Sequence, residues 1–239
     1  MTGARQIFLG SWRGPALPYD AEVEYLQIEN STSLPASYID TGLVADSSLS
    51  FKAVIRRISG NGNPFMGAGM SSPSINRYHM DTVSNQLDFY YGTNNTLYKI
   101  ANSAWASPVT VEVRQSEHRL YLGTQYVAIP TTQFSTDMHF LIGLRNWAGS
   151  PQRLNVSMRY YSFAASGAGS TLDLIPVRAG GLGYMYDRVS GRLYGNAGNS
   201  NAGFQASWVG PDLAGGGYKC LGYSLLRFSR FSRLWKEAA

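Results

Sequence analysis

Apolar and polar residues alternate along this chain with a period of two, in runs too short for helices. Leu49, Phe51, Ala53 and Ile55 alternate with Ser50, Lys52 and Arg56, which predicts a strand with one buried face. Residues 86–91 repeat the pattern, with Leu87, Phe89 and Tyr91 on one face and Asp88 and Tyr90 on the other. Val109, Val111 and Val113 against Thr110, Glu112 and Arg114 give the clearest strand of the chain. Residues 119–122 and 125–129 flank Gly123-Thr124 and predict a tight hairpin. Further strands are expected at 138–145, 155–163 and 171–177, and a last hairpin joins 184–186 to 192–194 around residues 187–191. The Gly-, Asn-, Ser- and Pro-rich stretch 59–76 reads as a loop. Strands at this density, with no amphipathic helix before residue 218, predict an all-β antiparallel sandwich over residues 21–205.

The two ends read differently. Residues 1–20 mix Gly and Pro with isolated aromatics, among them Trp12, and form an extended N-terminal arm. Residues 206–217 end in three glycines and read as a flexible linker. Beyond it, Arg227-Phe228-Ser229, Arg230-Phe231-Ser232 and Arg233-Leu234 repeat in steps of three, followed by Trp235. On a helix each such step falls back about 60°, so arginines and apolar residues form adjacent drifting stripes. The segment 218–239 therefore predicts a short, basic, amphipathic C-terminal helix. It is open to packing on its own domain, docking on a partner subunit, or contact with nucleic acid or a membrane.

Composition narrows the classes. Of 239 residues 44% are apolar and 15% charged, enough for a sizeable core. The 26 glycines and 16 tyrosines suit short strands joined by tight turns. The net charge is +5, yet residues 218–239 hold five basic groups against one acidic, so the body is nearly neutral. One cysteine, Cys220, excludes an internal disulfide and gives no zinc motif. No run approaches the roughly 20 apolar residues of a membrane span. Residues 1–18 lack the apolar core of a secretory signal, so a chain starting natively at Met1 is expected to be made in a host cytoplasm.

Several turn-rich aromatic runs carry a family resemblance. They are Glu24-Tyr25-Leu26, Tyr38-Ile39-Asp40-Thr41-Gly42, Tyr161-Ser162-Phe163, Ile175-Pro176, Gly183-Tyr184-Met185-Tyr186-Asp187 and Leu193-Tyr194-Gly195-Asn196-Ala197-Gly198. Over roughly 20–205 the chain resembles the LamG-like, concanavalin A-like lectin-glucanase jelly-roll modules of bacteriophage structural proteins and bacterial surface proteins. The resemblance implies a concanavalin A-like β-sandwich and a virion or surface setting. Residues 164–170 lack the Asp/Asn-Gly turn of the relatives, so a longer hairpin is expected there. The signature also has a purely structural reading: Pro176 ends a strand, Asp187 accepts backbone N–H groups across its turn, and Gly191, Gly195 and Gly198 supply positive φ.

Candidate chemistry is sparse. The glucanases of this fold carry a Glu-X-Asp-X-X-Glu strand, which is absent; Glu22-Val23-Glu24 is the nearest pair. His79, His118 and His139 are too scattered for a metal motif, so no metal ligands and no cofactor are expected. Calcium stays open only through Asp40, Asp46 and Asp81, which sequence does not bring together. A glycan platform needs aromatics beside amides or charges, and Tyr91, Asn94, Trp105, Arg145, Asn146 and Trp147 are its candidates. The leading expectation is a non-enzymatic bacteriophage or prophage virion protein: a head-decoration, head-fibre or tail-fibre module, its expected partners being other virion subunits (capsid or tail) and further copies of itself in a homo-oligomer. It would dock through Trp12, Arg227, Phe228, Arg230, Phe231, Arg233 and Trp235. The alternative is a lectin-like module for host-surface glycans. Nucleic acid and a membrane span are not expected.

Overall fold

Short strands make up the computed structural model, which describes residues 16–213 apart from 34, 71–75, 85, 94–96, 102–104, 106, 153 and 168. The C-terminal segment and most of the N-terminal arm, with Trp12 and all the docking candidates at 227–235, lie outside the described residues. In chain order the first strands are β1 (Ala21–Glu22), β2 (Leu26–Asn30), β3 (Ile39–Asp46), β4 (Ser50–Ser59), β5 (Asn63–Gly69) and β6 (Arg77–Val83). Next come β7 (Gln86–Gly92), β8 (Leu97–Ala101), β9 (Val109–Arg114), β10 (Arg119–Leu122), β11 (Gln125–Ala128) and β12 (Ser135–Ile142). The last are β13 (Arg145–Trp147), β14 (Ser150–Gln152), β15 (Val156–Gly167), β16 (Ser170–Ala179), β17 (Leu182–Asp187) and β18 (Leu193–Tyr194).

They form two sheets. The first runs β11-β10-β9-β4-β15-β16-β17-β18, with β1 on β16 and β2 on β15. The second runs β14-β13-β5-β6-β7-β8, with β12 joining β3 to β5. Pairing is antiparallel except between β13 and β5, which run parallel with Arg145 opposite Gly67 and Trp147 opposite Gly69. The chain is thus all-β, with two antiparallel sheets packed as a sandwich. One expectation needs correcting: the stretch read as a loop contains strand β5, whose Gly, Asn and Pro hide a run that is buried from Pro64 to Gly69.

Period-two alternation explains the core. Leu49, Phe51, Ala53 and Ile55 are buried from the first sheet, and Leu87, Phe89 and Tyr91 from the second. Aromatic rings bridge the layers: Phe140 of β12 lies 5.3 Å from Phe51, 5.9 Å from Phe163 and 5.7 Å from Tyr78 between ring centroids. Buried tyrosine hydroxyls add hydrogen bonds between the sheets. Tyr160 of β15 donates to the Phe65 carbonyl of β5 at 2.8 Å, and Tyr78 donates to the Leu49 carbonyl at 2.6 Å. Each satisfies a polar atom that burial would otherwise leave unpaired.

The signature turns hold the C-terminal half. Asp187 is fully buried, and its carboxylate accepts the N–H groups of Asp173, Val189 and Ser190 and the Ser190 hydroxyl. Gly191 has φ +76, as the turn requires. Gly195 and Gly198 differ from expectation, because neither has positive φ; both are small because backbone carbonyls, of Asn201 and of Ala36, occupy the place of a side chain. The β15–β16 hairpin, expected to be long, closes tightly at Gly167 opposite Ser170, with Gly169 at φ +80 supplying the reversal. Pro176 sits inside β16 rather than at its end, opposite Met185. Residues 206–213, expected to open a linker, are laid on the sandwich. Phe204 and Trp208 are buried, and Leu213 N–H donates to the Glu22 carbonyl at 3.0 Å.

Candidate functional site

Strand β6 points Tyr78, Met80 and Thr82 into the core and Arg77, His79 and Asp81 out of the second sheet. Its partner β7 does the same with Asp88 and Tyr90. The ladder sets His79 opposite Tyr90 and Asp81 opposite Asp88. On the other side of β6, β5 contributes Gly67 opposite His79 and Gly69 opposite Arg77. Beyond β5 lies β13 with Arg145 and Trp147, so two rows of side chains cross the sheet with glycine at their middle.

Those glycines bring β13 and β6 side chains together. Gly67 has φ +119, and a Cβ there would meet the Tyr78 carbonyl and come within 2.6 Å of the His79 Cβ. Over this gap Arg145 reaches His79, with Nη1 2.7 Å from Nε2, and its Nε donates to the Gln152 side-chain carbonyl. At Gly69 the Trp147 ring takes the free space, 2.9 Å from where a Cβ would stand. The guanidiniums of Arg145 and Arg77 lie 4.4 and 4.8 Å from the Trp147 centroid, and Arg77 lies 5.6 Å from that of Tyr90. His79 stacks on Tyr90 at 4.6 Å and 16°.

Proton bookkeeping fixes the state of His79. A guanidinium only donates, so Nε2 accepts and the ring is neutral with its proton on Nδ1. Burial, then the nearby Arg145 and Arg77, hold its pKa well below the usual histidine range. His79 Nε2 and Asp81 Oδ1 stand 3.6 Å apart, too far for a hydrogen bond, and the neutral ring makes no ion pair. Asp81 is 8% exposed, and its Oδ1 has no hydrogen-bond partner. Burial pushes its pKa up to about 7, with Asp88 adding to the rise and Arg145 and Arg77 opposing it. Asp88 is also buried, with Gln86 Nε2 donating to Oδ1 at 2.6 Å and Lys99 opposite on β8. Arg145 and Arg77 are lowered by burial yet remain cations.

The glycan candidates from sequence divide on this geometry. Arg145, Asn146 and Trp147 share β13 and are partly exposed. Arg145 and Trp147 belong to the cluster, whereas Asn146 donates to the His139 carbonyl at 3.4 Å. Tyr91 is buried in the core with its hydroxyl donating to Gln115 Oε1 at 2.9 Å, and Trp105 is buried against Phe65. Neither ring has a face to offer a ligand at the surface. Asn94 lies outside the described residues. Asp40 pairs with His139 at 3.0 Å, and among the described residues no three His, Cys, Asp or Glu gather as a metal site.

Arg77, His79, Asp81, Asp88 and Tyr90 are not joined as a group by the sequence, in which His79 and Asp81 stand only as single metal candidates and Tyr90 as part of an aromatic run. The signal was present, since Arg77, His79 and Asp81 alternate with Tyr78, Met80 and Thr82. Chemically the patch offers two guanidinium forks, two partly exposed aromatic rings, buried carboxylates and the Gln152 amide on a rigid sheet. The His79 Nε2 lone pair is taken by Arg145. Compared with known proteins, the chain matches no family model and no curated protein.

Proposed function

We propose that the chain is a non-enzymatic carbohydrate-binding jelly-roll module whose ligand lies on the outer face of the second sheet. The observation that carries this reading is the convergence of Trp147 and Tyr90, both partly exposed, with Arg77, Arg145 and Gln152 on adjacent strands. Rigid aromatic edges beside polar groups of fixed direction are what a polyhydroxylated ligand requires, because few rotamers are lost on binding. A glycan array of bacterial surface polysaccharides, probed with the wild-type chain and with Trp147→Ala, tests it. Binding that Trp147→Ala abolishes without loss of the folded state is expected. An array on which the wild type binds nothing overturns the reading.

The resemblance to phage modules, together with the charge concentrated in 218–239, supports a second part of the proposal. The module is carried on a virion and docks on other subunits through that basic segment. Deleting 218–239 is expected to abolish incorporation while the body stays folded, and normal incorporation of the truncated chain overturns it.

A further inference from the structure

We infer that the group recognised at this face is a carboxylate, so that the site takes an acidic saccharide bearing uronic acids. The inference rests on the saccharide-binding reading and adds the ligand's charge. Elsewhere on the surface, Arg114, Arg178 and Arg188 each hold a carboxylate of their own chain, at 2.7 Å in all three cases. Arg77 and Arg145 do not. Among the described residues the Arg77 side chain makes no hydrogen bond or ion pair, and its Nε is buried without a partner. Arg145 uses Nε on Gln152 and Nη1 on His79, which leaves Nη2 uncommitted among the described residues.

The Trp147 ring holds both guanidiniums in place, at 4.4 and 4.8 Å. These cation–π contacts hold the two forks beside one ring, and planar forks match a carboxylate better than a hydroxyl. They also use part of the ring that a neutral sugar would stack on. Charge points the same way: Arg77, Arg145 and Lys99 face Asp81 and Asp88, while His79 is neutral. Asp81 carries its proton over much of the acidic range, so it subtracts little from that positive balance below neutrality.

The test is calorimetric titration of the full chain with oligomers of galacturonate, mannuronate and glucuronate, with the methyl ester of the galacturonate oligomer, and with polyglutamate. At least one uronate oligomer is expected to bind, esterification to weaken that binding by at least about tenfold, and polyglutamate not to bind. Arg77→Gln and Arg145→Lys are each expected to weaken uronate binding by about tenfold, with the melting temperature of Arg77→Gln unchanged. Equal binding of acid and ester, or binding only to neutral polysaccharides, overturns the inference and leaves the saccharide-binding reading standing. Equal binding of polyglutamate overturns both, as does a wild-type chain that binds no saccharide of either kind.

Discussion

Asp81 and Asp88 stand directly opposite each other on β6 and β7, both buried, at 8% and 4% exposure. Burial imposes a desolvation cost on the Asp81 carboxylate and the Asp88 carboxylate opposite adds to it, so the folded state retains a proton on Asp81 up to about pH 7. The unfolded chain releases it near the ordinary value of 3.8. The folded pKa is the higher one. The associated stability is therefore fully present below about pH 4, declines as pH rises, and is lost above about pH 7. Asp81→Asn removes this dependence and is expected to stabilise the protein at pH 8 by up to about 4 kcal/mol, with little effect at pH 4. Urea denaturation of both proteins across pH 4–8 checks it.

Gly67 is expected to tolerate no side chain. With φ +119, alanine there is strained, and its Cβ would strike the Tyr78 carbonyl and the His79 backbone. Gly67→Ala is expected to destabilise by roughly 2–4 kcal/mol, the sum of backbone strain and overpacking. Thermal melting measures the loss.

The Asp187 turn gives a contrasting case, in which a buried carboxylate is satisfied. Asp187→Ala leaves the Asp173, Val189 and Ser190 N–H groups without their acceptor and is expected to cost about 3 kcal/mol or more. Asp187→Asn keeps the shape and is expected to cost less. A denaturation series on the two variants separates lost acceptors from lost packing.

The folded body is expected to extend at least to residue 213, past 205. A chain ending at 213 is expected to keep the cover that Phe204 and Trp208 give the core. One ending at 203 uncovers the core where Phe204 and Trp208 were buried and loses several kcal/mol, at roughly 2 kcal/mol or more per buried aromatic. Differential scanning calorimetry of the two truncations distinguishes these outcomes.

Strands with strict alternation were legible because one face of each is dry: Phe51, Phe89 and Val111 announce their neighbours' directions. The Asp187 turn was legible as well, since an acid before Gly191 in a hairpin has few other uses. Strand β5 was not, because Gly67 and Gly69 serve the outer face by being absent from it, and composition reads such residues as loop. The site itself depends on placing Arg145 beside Gly67, a parallel pairing that no local pattern encodes. Arg145 and Trp147 were named from their chemistry, whereas His79, Asp81 and Tyr90 are joined to them only by the register across the sheet.

The parallel union of β13 with β5 joins positions about 80 residues apart, so its loop must close before either strand gains from the other. Arg145 and Trp147 are therefore expected to reach the patch after the β5–β6–β7 hairpins have laid down its floor. Acquisition of ligand affinity during refolding would then serve as a clock for this long-range pairing, lagging behind the appearance of the local hairpins.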